Sequence, residues 1–166
     1  EAAAIWRKMH GDTASQNLLQ NAGFATKPAD KGFDWRLPGL RDVAQTIGPP
    51  GTLRLRFDGK QAMDIVPVSQ LAVLSEGAYT LSWNSSSDTF RPAEGLRFLV
   101  RDFDSGQVIV EGNDLKSGDW TRDALTFRIA REVRAVWVEL RCTRRPGALR
   151  VEGEVCLREL GLRRTS

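Results

Sequence analysis

At 166 residues the chain is about one domain long and can bury a sizeable core, and its 41% apolar and 27% charged content is ordinary for a globular domain. No run of about 18 apolar residues is present, which excludes a transmembrane helix and membrane insertion by that route. Two cysteines without a CxxC spacing offer no zinc or redox motif, and no residue pattern asks for a cofactor.

The formal charge of +3 rests on an arginine excess, much of it between Arg131 and Arg164. Glu132, Glu139, Glu152, Glu154 and Glu159 are interleaved with those arginines, which reads as a solvated surface of mixed sign rather than a nucleic-acid-binding tail.

In chain order, "EAAAIWRKMHGD" reads as a short helix with Ile5 and Met9 on one face and Gly11 as its stop. Alone it is marginal, so residues 1–16 are expected to be the helical remnant of a preceding domain or linker, and Trp6 belongs to it. The chain begins at Glu1 without an initiator Met or a signal-like apolar stretch, and a fragment of a longer protein is expected. Residues 17–166 form the main domain. Its first part, "NAGFATKPADKGFDWRLP" (21–38), is a polar loop that ends in Phe33, Trp35 and Leu37, a spacing that points Trp35 at the edge of the core as a lid.

From there the text is β. "TLRLRF" (52–57) alternates strictly, and "VPVSQLAVL" (66–74), "AYTLSWNS" (78–85), "LRFLVRD" (96–102), "ALTFRI" (124–129), "AVWVELRC" (135–142) and "LRVEGEVCLRELGL" (149–162) follow. Turn residues such as "PPG", "SEG", "DSG", "KSGD" and "RRPG" separate them. About eight antiparallel strands after one short helix define an all-β sandwich.

The ordered set "NAGF", "FDWRL", "VSQLAVLSEGAYTLSW", "GDWTRDALTFRI", "AVWVELRC" and "GEVCLRELGLR" resembles the jelly-roll carbohydrate-binding modules of the galactose-binding-like superfamily. It is especially similar to modules that follow tetratricopeptide-repeat regions in bacterial proteins linked to exopolysaccharide export. The resemblance covers roughly residues 17–163. It implies a jelly roll, a polysaccharide partner, a preceding helical-repeat region in the same chain, and a periplasmic or cell-envelope setting, although two cysteines suit the cytoplasm equally. Members of the family often carry Glu after the Asn-x-Gly-Phe turn and a closing pair of acids, which hold a structural calcium. Here Ala25 and Arg158-Glu159 stand at those places, so no metal is expected.

The jelly-roll topology implied by the resemblance puts 52–57, 78–85, 96–102 and 135–142 in one sheet. Period two then turns Leu53, Leu55, Phe57, Tyr79, Leu81, Trp83, Leu96, Phe98, Val100, Val136, Val138 and Leu140 inward. On the outer face, Trp137 with Glu139, Arg141, Arg97 and Asn84 is the best sugar-binding constellation, with Arg54, Arg56 and Arg101 around it. A flat aromatic ring offers a stacking platform, and planar hydrogen-bonding groups fix hydroxyls. The competing reading is that Trp137 packs beneath a loop. Trp120, at a strand entrance, is expected to serve packing.

Catalysis finds little support. The one histidine, His10, lies outside the β region, and Cys142 and Cys156 have opposite strand parity, which suits neither a nucleophilic dyad nor a disulfide. Paired carboxylates, for instance Asp102 with Asp104 or Glu139 with Glu154, are what a glycosidase reading can use, and nothing beyond their presence supports it. "DFDSGQ" (102–107) reads as a turn rather than a calcium loop. One outward aromatic is fewer than a single-stranded nucleic acid needs for stacking. The expected function is therefore a non-catalytic polysaccharide-binding module, for which an acidic exopolysaccharide is one candidate. A structural or protein-interaction module that binds no sugar is the alternative.

Overall fold

The computed structural model describes residues 17–87, 95–130 and 134–165, together with Ala2 and Ile5. The expected N-terminal helix falls, apart from those two residues, outside the described set.

Among the described residues there are nine strands: β1 (Val43–Gly48), β2 (Thr52–Asp58), β3 (Asp64–Leu74), β4 (Gly77–Ser87), β5 (Leu96–Asp102), β6 (Val108–Glu111), β7 (Gly118–Ile129), β8 (Arg134–Thr143) and β9 (Glu152–Thr165). They pair antiparallel into a five-stranded sheet, β1-β2-β9-β4-β7, and a four-stranded sheet, β3-β8-β5-β6. The two sheets make an all-β sandwich, as the alternating text suggests, and it is of the jelly-roll type that the resemblance implies. β1 and β6 carry too little alternation to announce themselves, and they form as edge strands against β2 and β5.

All twelve residues expected inward are buried between the sheets. Their assignment to one sheet, however, is corrected. β2 and β4 belong to the five-stranded sheet, while β5 and β8 pair with each other in the four-stranded one. Period two separates the inside of a strand from its outside, but it carries no information about which sheet the strand joins. Trp83 of β4 therefore meets Phe98 of β5 across the core, with ring centroids 4.6 Å apart.

The segment before β1 ties both sheets together. The Asn17 amide donates to the Leu160 carbonyl at 2.9 Å and its oxygen accepts from the Leu162 amide at 2.9 Å, which docks the chain on β9. Gln20 and Gln70 are buried and satisfy each other, backbone to side chain, at 2.8 and 2.9 Å. Arg36 and Ser69 exchange two backbone hydrogen bonds at the free edge of β3. Trp35 is fully buried, its ring 5.4 Å from Phe24 and its Nε1 donating to the Asn21 carbonyl at 3.0 Å. It belongs to the core itself, deeper than the lid at the core's edge that its spacing from Phe33 and Leu37 suggests. Gly51 has a φ of +66°, and a Cβ there would stand 2.1 Å from the Gly23 carbonyl oxygen, so only glycine lets the β1–β2 turn meet this segment.

"DFDSGQ" is a turn. The Asp102 carboxylate accepts from the Ser105 amide at 2.7 Å and its hydroxyl at 2.8 Å, and it pairs with Arg134 at 2.8 Å. These contacts hold the Asp102 carboxyl down at about 2 from the usual 3.8, the Ser105 amide first, then Arg134.

Candidate ligand-binding groove

The eight residues expected to bind divide between the two outer faces. Trp137, Glu139 and Arg141 lie on β8, beside Arg97 and Arg101 on β5, with Arg97 opposite Arg141 and Arg101 opposite Trp137. Asn84, Arg54 and Arg56 stand on the far side of the molecule, on β4 and β2 of the other sheet.

On the four-stranded face the polar groups are engaged with one another. Arg101 pairs with Glu139, which is only 2% exposed, and Arg97 pairs with Glu111 and Asp114. Arg141 Nε donates to Asp64 Oδ1 at 2.7 Å, which lowers the Asp64 carboxyl and raises Arg141 through that hydrogen bond. The Arg36 guanidinium lies 4.5 Å above the centre of the Trp137 ring, and Phe103 lies 6.0 Å away on a tilted plane. The ring is half-buried beneath the loop residue that precedes β1.

The five-stranded face is different. Alternation in β7 points Leu125, Phe127 and Ile129 inward, so Trp120, Arg122, Ala124 and Thr126 face out. Trp120 is 39% exposed, and the Arg158 guanidinium covers part of it at 3.9 Å from the ring centre. Trp120, expected to serve packing at a strand entrance, instead stands partly exposed on the outer face with Arg158 against its ring. Parity with Ala124 and Thr126, counted back from "ALTFRI", was the sequence signal for its outward orientation.

Across this face the register builds a floor and two walls. Ser82 pairs with Ala124 on one side and Gly161 on the other, which leaves a low row of small side chains. Asn84 between Arg122 and Arg158 forms the row on one side, and Thr80 between Thr126 and Arg163 forms the row on the other. Glu159, at a φ of +53° where the β4–β9 register shifts, accepts a hydrogen bond from the Asn84 amide. Two clefts result. One, of about 670 Å³, is lined by Trp120, Arg158, Arg54, Glu154, Ser86 and Asp119. The other, of about 510 Å³, includes Ser82, Arg122, Glu159, Gly161 and Arg163. Asn84 stands between them by register.

Cys156 lines the first cleft, but burial and then the Glu154 carboxylate push its thiol up, and burial pushes Cys142 up to about 11. Neither is primed as a nucleophile. Glu139 and Glu154 lie on opposite sheets, and Asp102 is committed to its turn and to Arg134. Where the resemblance implies calcium ligands, the Ala25 side chain offers no oxygen and Arg158 brings a cation over Trp120, so the residues do not fit that ion. Among the described residues no group of three or more His, Cys, Asp or Glu could hold a metal.

With this geometry in view, the likeness to known structures is informative about class. The chain superimposes on a CBM4 structure with a TM-score of 0.59 at 14% identity, over 89% of this chain and 99% of that one. It matches a family 16 carbohydrate-binding module with a TM-score of 0.51 at 19% identity, over 88% and 99% of the two chains. A third likeness, TM-score 0.55 at 12% identity, is to the enzymatically active domain of a bacteriophage CBA120 tailspike protein, where 92% of this chain covers 22% of that one. No protein-family model matches the sequence, and no curated relative matches it. At such identities the likeness defines the fold: a jelly-roll β-sandwich of the kind that carbohydrate-binding modules use.

Proposed function

We propose that the domain is a non-catalytic module that binds a polysaccharide in the groove on the outer face of the five-stranded sheet. The observation that carries this reading is Trp120, a partly exposed ring in a polar cleft of the sheet face, held by Arg158 and bordered by Ser86, Arg54 and Glu154. Sugar rings stack their C–H faces on such aromatics while planar side chains take the hydroxyls. Three residues of the sequence-derived set, Arg54, Arg56 and Asn84, fall on this face, and Arg54 and Asn84 join the proposed site. The fold it shares with carbohydrate-binding modules supports the reading, and the resemblance extends it to a cell-envelope protein that handles an exopolysaccharide next to helical repeats.

The test is affinity electrophoresis through gels containing neutral and acidic polysaccharides, with Trp120→Ala and Trp137→Ala beside the wild type. Retardation lost in Trp120→Ala and kept in Trp137→Ala supports the groove. The reverse moves the site to the outer face centred on Trp137, Glu139, Arg141, Arg97 and Arg101. Absence of retardation in every gel, with the protein folded, favours the structural or interaction module.

A further inference from the structure

The two outer faces treat their arginines in opposite ways. On the outer face of the four-stranded sheet Arg97, Arg101 and Arg141 each pair with a carboxylate. On the five-stranded face, among the described residues, Arg56, Arg122, Arg158 and Arg163 enter no ion pair, and Arg54 reaches Glu154 only at 3.9 Å. Composition does not explain this, because acids are present on both faces. For two of them the strand register explains it: Arg122 and Arg163 stand opposite Asn84 and Thr80, not opposite acids, whereas Arg56 has Glu154 opposite.

The imbalance is concentrated in the second cleft. In the first, Arg54 and Arg158 are balanced by Asp119 and Glu154. In the second, Arg122 and Arg163 face one acid, Glu159, whose carboxylate already accepts from Asn84. Two exposed guanidiniums therefore border a cleft floored by Ser82 and Gly161, with planar donor forks and no carboxylate partner among the described residues. A guanidinium in that state matches a carboxylate or sulfate group, which it can take in a bidentate manner.

Resting on the polysaccharide reading, we propose that the groove selects an anionic glycan: sugar rings stack at Trp120 and an acidic substituent is read by Arg122 and Arg163. The chemistry is shared by uronate carboxylates and sulfate esters. The neutral first cleft accounts for ring binding, and the positive second cleft accounts for the choice of polymer.

The experiment uses the whole chain in affinity gels containing a neutral glucan, a polyuronate, the same polyuronate after carboxyl reduction, a sulfated glycan, or single-stranded DNA. Wild type, Arg122→Gln/Arg163→Gln and Trp120→Ala are run side by side at two salt concentrations, with folding checked by circular dichroism. The expected result is retardation by the polyuronate or the sulfated glycan, whichever is the source of the anion. The double variant should lose about tenfold or more of that affinity, since charge-assisted hydrogen bonds contribute about 1.5–3 kcal/mol. Carboxyl reduction should mimic the double variant if the anion is a uronate. Retardation by the neutral and reduced polymers equal to that by the acidic ones, and unchanged in the double variant, overturns the anionic inference while the sugar reading stands. Equal retardation by DNA and every polyanion, insensitive to Trp120→Ala, overturns it in favour of non-specific attraction to a basic chain. No retardation in any gel overturns both readings.

Discussion

The Arg158 guanidinium lies 3.9 Å from the centre of the Trp120 ring, and the two residues belong to strands, β9 and β7, that never pair directly. β4 lies between them, so the contact reaches over the outer face rather than along a ladder. Arg158 Nε is buried without a hydrogen-bond partner, which leaves the ring as a principal contact of that group. The pair keeps a large apolar ring standing on an otherwise polar face.

That arrangement predicts a separation of binding from stability. Arg158→Ala should cost no more than about 1 kcal/mol in urea unfolding, the range of an exposed cation–π contact. It should nevertheless weaken glycan retardation, because the ring loses the support that orients it. Equal retardation by the variant and the wild type would remove Arg158 from the site.

Trp35 is expected to behave as a core residue. Its ring is fully buried against Phe24 and its Nε1 holds the Asn21 carbonyl. Trp35→Ala should destabilise by about 3–5 kcal/mol, as large aromatic-to-alanine changes in cores do. Trp35→Phe should cost far less, losing one hydrogen bond and some volume. Denaturation midpoints of the two variants check the ratio, and ligand retardation should survive in Trp35→Phe.

Arg101 and Glu139 predict an asymmetry. The Glu139 carboxylate is buried and its Oε2 has no partner, so Arg101 is its main source of compensation. Arg101→Met should destabilise strongly, by about 3 kcal/mol or more, because it leaves a buried charge unpaired. The double variant Arg101→Met/Glu139→Leu should recover much of that loss. A double-mutant cycle in chemical denaturation measures the coupling, and additivity of the two changes would contradict it.

Asp102 sets part of the acid limb of stability. Its carboxyl is held at about 2 in the folded protein by the Ser105 amide and Arg134, against an ordinary value of 3.8. A depressed folded value stabilises the native state fully above pH 3.8, and that contribution is lost as pH falls toward about 2. Asp102→Asn should therefore flatten the decline in unfolding free energy between pH 5 and pH 2. An unchanged slope would mean that other carboxyls carry the acid transition.

The strand text made the sandwich legible. Leu53, Leu55, Phe57, Tyr79, Leu81 and Trp83 could be turned inward by counting alone, because a pleated strand exposes alternate residues to opposite sides. The same counting from Leu125, Phe127 and Ile129 places Trp120 outside, although its position at a strand entrance suggests packing. Glu139 and Leu99 show the limit in the other direction: both lie on the outer side by parity, yet both are buried. Side chains that cover an outer face come from other parts of the chain, and parity does not record them.

Alternation by itself determined that this chain is an all-β sandwich and which side chains form its core, since burial of one strand face follows from local spacing. Only the tertiary structure decided that β5 and β8 leave β2 and β4 for the opposite sheet, that Arg36 covers Trp137, and that Arg122 and Arg163 face Asn84 and Thr80 rather than acids. Those relations depend on which distant strands become neighbours and in what register, a choice made by the packing of the whole sandwich.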